Sequence, residues 1–105
     1  MLKVKPSDKY SSIESPSMKL LADFLKNDIQ IDEVMQAISP LDNSMSALPE
    51  SYGIKDKIEQ MLEQTILLSK QNGDSSFKVF SMCASIIAGA STVVSCFVEA
   101  DDSDT

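Results

Sequence analysis

The fold is decided by residues 54–98, IKDKIEQMLEQTILLSKQNGDSSFKVFSMCASIIAGASTVVSCFV. In the first half, Ile54, Ile58, Met61, Leu62, Thr65 and Leu68 recur at the i, i+4, i+7, i+8 spacing of one helix face. Asp56, Lys57, Glu59, Glu63 and Lys70 fall on other faces, while Ile66 and Leu67 broaden the apolar stripe. This spacing predicts a helix over 54–71. Asn72-Gly73 then offers a left-handed stop, and Asp74 can cap a further helix over 75–98. Two helices joined by so short a turn run nearly antiparallel. Residues 54–98 therefore read as a helical hairpin. Its facing stripes are expected to bury Ile58, Met61, Leu62, Thr65, Ile66, Ile86, Ile87, Val93, Val94 and Phe97.

The second hairpin helix has two readings. Val79 to Val98 is a run of twenty residues without a charge, long enough to span a bilayer. Lys70 and Lys78 precede it, and Glu99, Asp101, Asp102 and Asp104 follow, which would set a cytoplasmic N-terminal side. Yet at about 100° per residue the small residues Ser81, Ser85, Ala88, Thr92 and Ser95 gather on one face, in phase with Asp74, Lys78 and Glu99. Val79, Cys83, Ile86, Ile87, Ala90, Val93, Val94 and Phe97 gather on the opposite face. A polar stripe running in phase into flanking charges favours a soluble or assembling helix over a membrane-spanning one. The small residues form a seam through which a second helix can approach closely. Ser81, Ser85, Ala88, Thr92 and Ser95 are thus the candidate interaction residues; the blander reading of the seam is a solvated serine face.

Working back from the hairpin, residues 39–53 hold Pro40, Asn43, Pro49 and Gly53 among several serines. They read as a loop or linker, with Met45 and Leu48 as anchors to the core. Before it, Asp32 can cap a short helix over 32–38 that turns Val34, Met35 and Ile38 inward, with Pro40 as its stop. Ser15-Pro16 is a helix-start signal. It opens a helix over 16–27 with Met18, Leu21, Ala22 and Leu25 on one face, widened by Leu20 and Phe24. Residues 16–38 form a short helical arm. Residues 1–15 read as a flexible segment without the apolar run of a secretory signal, and 99–105 as an acidic tail. The expected class is all-α: short N-terminal helices, then a C-terminal antiparallel hairpin.

Composition narrows function mainly by exclusion. The 105 residues carry sixteen acidic side chains and nine lysines, with no histidine, arginine or tryptophan. Without histidine there is no Ser–His–Asp or Cys–His pair and no ready general base near neutral pH. Two cysteines cannot build a four-thiolate zinc site. No catalytic, cofactor-binding or metal-binding residues are expected, and the chain reads as non-enzymatic. A net charge of −7 without a basic stripe argues against nucleic-acid binding, though an acidic inhibitor that mimics nucleic acid is compatible with it. Cys83 and Cys96 lie thirteen positions apart in one expected helix, about 20 Å along its axis. That is beyond disulfide reach, so both read as small buried apolar residues.

Several segments resemble the small inner-rod and needle subunits of bacterial type III secretion systems. Ile31-Asp32-Glu33-Val34-Met35-Gln36-Ala37-Ile38-Ser39 is similar to the rod family's acidic-then-apolar segment ahead of its linker. Leu68-Ser69-Lys70-Gln71 is similar to the Gln-containing end of the first hairpin helix. Phe77-Lys78-Val79-Phe80-Ser81-Met82-Cys83-Ala84-Ser85 resembles the aromatic and Ser-containing start of the second. Val93-Val94 stands where the family carries its late apolar pair. The chain departs from the pattern in the apolar richness of 86–98 and in its acidic tail. The resemblance implies a cofactor-free, self-assembling virulence-associated subunit, made in the bacterial cytoplasm and secreted through a dedicated export apparatus.

Three classes of function follow: an assembling structural subunit acting through self-association or protein partners, a small acidic binder such as a chaperone, immunity protein or inhibitor, and a single-pass membrane protein with its helix at 79–98.

Overall fold

A computed structural model describes residues 12–103, with side chains described as far as Cys96. The described residues are almost entirely helical and contain no strand. Four helices follow in order: α1 (Pro16–Leu25), α2 (Ile31–Ala47), α3 (Ile54–Asn72) and α4 (Ser76–Ser103). A single 3-10 turn, Ser51–Gly53, leads into α3.

The start of α1 follows from its residues. Ser15 is the N-cap, its hydroxyl accepting from the Met18 amide at 3.2 Å, and Pro16 occupies the first turn. Met18, Leu21, Ala22 and Leu25 are buried, with Leu20 and Phe24 partly so. Two carboxylates from distant helices complete this end. Asp42 of α2 accepts from the Glu14 amide at 3.1 Å and the Ser15 amide at 2.9 Å. Glu59 of α3 accepts from the Ser17 amide at 2.9 Å. Carboxylates are well placed there because helix N-terminal amides lack partners and carry partial positive charge. Ile13 and Ser15 are buried beside these bonds. Ile13 and Ser15, expected within the flexible segment, are thus packed against the fold, and residues 1–11 lie outside the described residues.

Pro40 does not end α2, and residues 39–47 are helix where the sequence suggests a loop. Proline in a helix interior loses one hydrogen bond and crowds the preceding turn. Here Ser39 and Pro40 are exposed, and the Ser39 hydroxyl donates to the Met35 carbonyl at 2.7 Å. The apolar face meanwhile continues unbroken across the proline: Val34, Ile38 and Met45 are fully buried and Leu41 partly. Burial of Met45, with the two bonds to Asp42, offsets the proline's cost. The second helix is also capped differently from expectation. Its N-cap is Gln30, without a side-chain bond, and Asp32 lies inside the first turn.

The end of α3 is the left-handed stop the sequence suggests. Gly73 has φ 70°, its amide bonds the Lys70 carbonyl, and the Asp74 amide bonds the Ser69 carbonyl. The next cap shifts by one residue. The Ser75 hydroxyl accepts from the Lys78 amide, while the Asp74 carboxylate meets the Lys78 ammonium at 3.4 Å. The Ser76 hydroxyl hydrogen-bonds Asp28, which ties the start of α4 to the connection after α1. At its other end α4 continues to Ser103, so residues 99–103, expected as a tail, are helical.

The core lies where all four helices meet. Met18, Leu21 and Leu25 of α1 and Val34, Ile38 and Met45 of α2 pack with Leu62 and Ile66 of α3 and Val79, Cys83 and Ile87 of α4. α1 touches each of the other three helices, and α4 is contacted by α1, α2 and α3.

Candidate functional site

α3 carries two apolar stripes where the sequence suggests one broad one. Leu62 and Ile66, with Ser69, point into the core and are buried. Ile54, Ile58, Met61, Thr65 and Leu68 repeat at 4–3–4–3 spacing on the adjacent face. There Ile54, Ile58 and Thr65 are half-buried, while Met61 is 49% and Leu68 59% exposed. α4 divides similarly. Val79, Cys83, Ile87 and Ala90 are buried, Ile86 and Val94 half-buried, and Val93 is 53% exposed. Met61 and Val93 thus depart from the expected core, and Phe97 lies outside the described side chains.

Between these outer stripes runs an open trough. One part, of about 310 Å³, is lined by Ile54, Ile58, Met61, Ser85, Ile86, Gly89, Ala90, Val93 and Val94. A second, of about 430 Å³, is lined by Thr65, Ser81, Met82, Ser85 and Ile86. The two share Ser85 and Ile86 and so adjoin along α3 and α4. No charged side chain lines the trough. Its hydroxyls are partly satisfied within the helices: Thr65 donates to the Met61 carbonyl at 2.8 Å. At the edge Thr92 donates likewise to the Ala88 carbonyl at 3.1 Å. A threonine bonded this way can face an apolar partner without leaving its donor unpaired.

The five seam residues divide across this surface. Ser81 is half-buried and lines the trough, and Ser85 is exposed on its lip. Ala88, Thr92 and Ser95 are exposed on the outer side of α4. Sequence reasoning passed over Gly89, which lies on the trough wall between them. Nothing stands within 4 Å of the place its Cβ would take. The 4–3 spacing of Lys78, Met82, Ser85, Gly89, Thr92, Cys96 and Glu99 was the signal that could have found it.

A second, polar cleft of about 340 Å³ lies between the start of α1 and α3, lined by Glu14, Ser15, Pro16, Ser46, Lys55, Asp56, Glu59, Gln60 and Glu63. Glu59 is committed to the Ser17 amide, so this cleft belongs to the clamp on α1. Among the described residues no group of three or more His, Cys, Asp or Glu side chains is placed to hold a metal ion. The cysteines differ from each other. Cys83 is buried, and burial pushes its thiol up to about 11, whereas Cys96 is exposed. A thiol kept protonated is a poor nucleophile.

Ser76–Cys96 is long and apolar enough to cross a membrane, and 22% of its most apolar window is buried within the fold. No protein-family model, no curated protein and no solved structure matches this chain.

Proposed function

We propose that this chain is a non-enzymatic helical assembly protein. In this reading α3 and α4 form an antiparallel hairpin, α1 and α2 brace one part of it, and the trough along it receives a protein helix. The single observation that carries the reading is the second apolar stripe of α3. A surface helix facing only water carries charged or polar residues on its outer face. Here Ile58 and Met61 line the trough with Ile86 and Val93 of α4, and Leu68 continues their stripe as an exposed residue. A contiguous apolar surface of this kind marks a contact site, and an uncharged groove between two helices suits a third. The resemblance to inner-rod subunits names one such assembly, built by repeated self-contact. A small acidic binder uses the same trough for one foreign helix.

The test is Val93→Asp in the full chain, followed by light scattering of the protein purified from its cells. The wild type is expected as an oligomer or a complex of defined mass, and the variant as a monomer of unchanged helicity. A variant that keeps the wild-type mass removes the trough from the function.

A second reading rests on the length and apolarity of Ser76–Cys96 and its small buried share. In it α4 spans a bilayer. Resistance to carbonate with release by detergent identifies that case; release by carbonate rules it out.

A further inference from the structure

We propose that α1 and α2 of one chain exchange with those of a second copy, through a joint at residues 48–53 that straightens into the start of α3. The trough takes no part in this contact, so it goes beyond the assembly reading above.

The joint divides the chain into two halves, each tied within itself. In the first, Asp42 of α2 holds the Glu14 and Ser15 amides ahead of α1. In the second, the Gly73 stop turns α3 back into α4. What the halves share is the core, the bond from the Ser17 amide to Glu59 and the bond from Ser76 to Asp28. A half supplied by a second copy makes these same contacts, so exchange needs no new surface.

The joint is also where the closed chain is strained. Tyr52 (φ 65°, ψ 7°) and Gly53 (φ 66°, ψ 18°) are both left-handed. Glycine takes that conformation freely and tyrosine does not. Tyr52 is 79% exposed, so packing of its ring does little to offset the strain. The flanking residues already have the form of a helix start. Leu48 is extended, as an N-cap is, at φ −67° and ψ 139°. Pro49 then stands at the first helical position and Glu50 in the first turn. Glu50 and Ile54 are already right-handed. Turning Tyr52 and Gly53 right-handed makes one helix from Pro49 to Asn72. That helix carries α3 and α4 away from their own α1 and α2, and those of a second copy take their place. The dimer relieves the tyrosine twice. Exchange requires the shared core to open, so dilute native protein keeps the closed form. The swapped dimer forms when concentrated chains fold together.

The experiment refolds the full chain from denaturant at low and high concentration and measures the dimer by sedimentation. The wild type is expected to dimerise at high concentration. Tyr52→Gly removes a strain worth roughly tenfold in each closed chain, so it should weaken the dimer about a hundredfold. Gly53→Ala should strengthen it by a similar factor, because alanine resists φ 66° while nothing stands within 4 Å of its Cβ. The exchange itself is read with Asp28→Cys and Ser76→Cys together, in a chain carrying Cys96→Ser. Oxidation of the swapped dimer should join two chains, giving a covalent dimer in denaturant; oxidation of the closed form bridges one chain. Wild type and Gly53→Ala that both stay monomeric overturn the proposal, as does a dimer indifferent to both substitutions. A dimer whose bridges stay within single chains overturns it too. If that dimer is also lost on Val93→Asp, it belongs to the trough, and the assembly reading stands while the exchange falls.

Discussion

The inner and outer stripes of α3 have nearly the same composition and opposite surroundings. Leu62 and Ile66 join the core shared by all four helices and are fully buried, while Met61 and Leu68, each one or two residues away, are about half exposed. α4 repeats the contrast in Ile87 against Val93. Hydrophobicity alone does not separate them; only the presence of a covering helix does. The difference teaches that the chain has two apolar surfaces on the same pair of helices. It uses one to fold and has the other left over.

The largest effect should come from the inner stripe. Ile66→Ala should destabilise by about 2–5 kcal/mol in denaturant titration, through lost burial and the cavity left behind. The matching change on the outer stripe, Met61→Ala, should stay within about 0.5 kcal/mol for the monomer. Equal losses at both positions would erase the contrast. Asp42→Ala comes next. It removes the acceptor for two amides at the start of α1, and a loss of about 1–3 kcal/mol in the same titration is expected. No loss there would mean that the clamp adds nothing beyond capping by Ser15.

Smaller effects test how the two surfaces are framed. Tyr52 sits at φ 65° and is 79% exposed. Left-handed geometry costs a side-chain-bearing residue about 1–2 kcal/mol, so Tyr52→Gly should raise the melting temperature slightly. Gly73→Ala, at φ 70°, should lower it. The smallest effect concerns pH. Burial raises the Cys83 thiol from 9.0 to about 11, so the unfolded chain loses its proton first as pH rises. Its contribution is intact below pH 9 and declines as pH climbs through about 11. Cys83→Ala should flatten that part of the stability profile. Iodoacetamide at neutral pH should label Cys96 and spare Cys83.

Sequence patterns carried the helical class and the local punctuation because those depend on neighbouring residues. Ser15-Pro16 and Asn72-Gly73 act within one turn of the chain, and the inward face of α1 follows from its own spacing. The course of α2 through Pro40 was not legible. The bonds that help hold it come from Glu14 and Ser15, twenty-eight and twenty-seven residues away from Asp42 in sequence. Nor could spacing divide the apolar face of α3 in two. Ile58, Met61, Leu62, Thr65 and Ile66 form one broad stripe on a helical wheel until the other helices cover part of it. Of the five seam residues, Ser85, Ala88, Thr92 and Ser95 are exposed and Ser81 is half-buried. The trough needs both helices in place to exist, and Gly89 gains meaning only on its wall.

Amide hydrogen exchange at low and high protein concentration compares the two surfaces within one sample. The account predicts that exchange in 54–61 and 85–94, which line the trough, slows as concentration rises, while 16–25 and 31–45, which pack away from it, change little. Exchange that is independent of concentration in both pairs of segments would contradict it, leaving the outer stripe an apolar surface without a second copy to cover it.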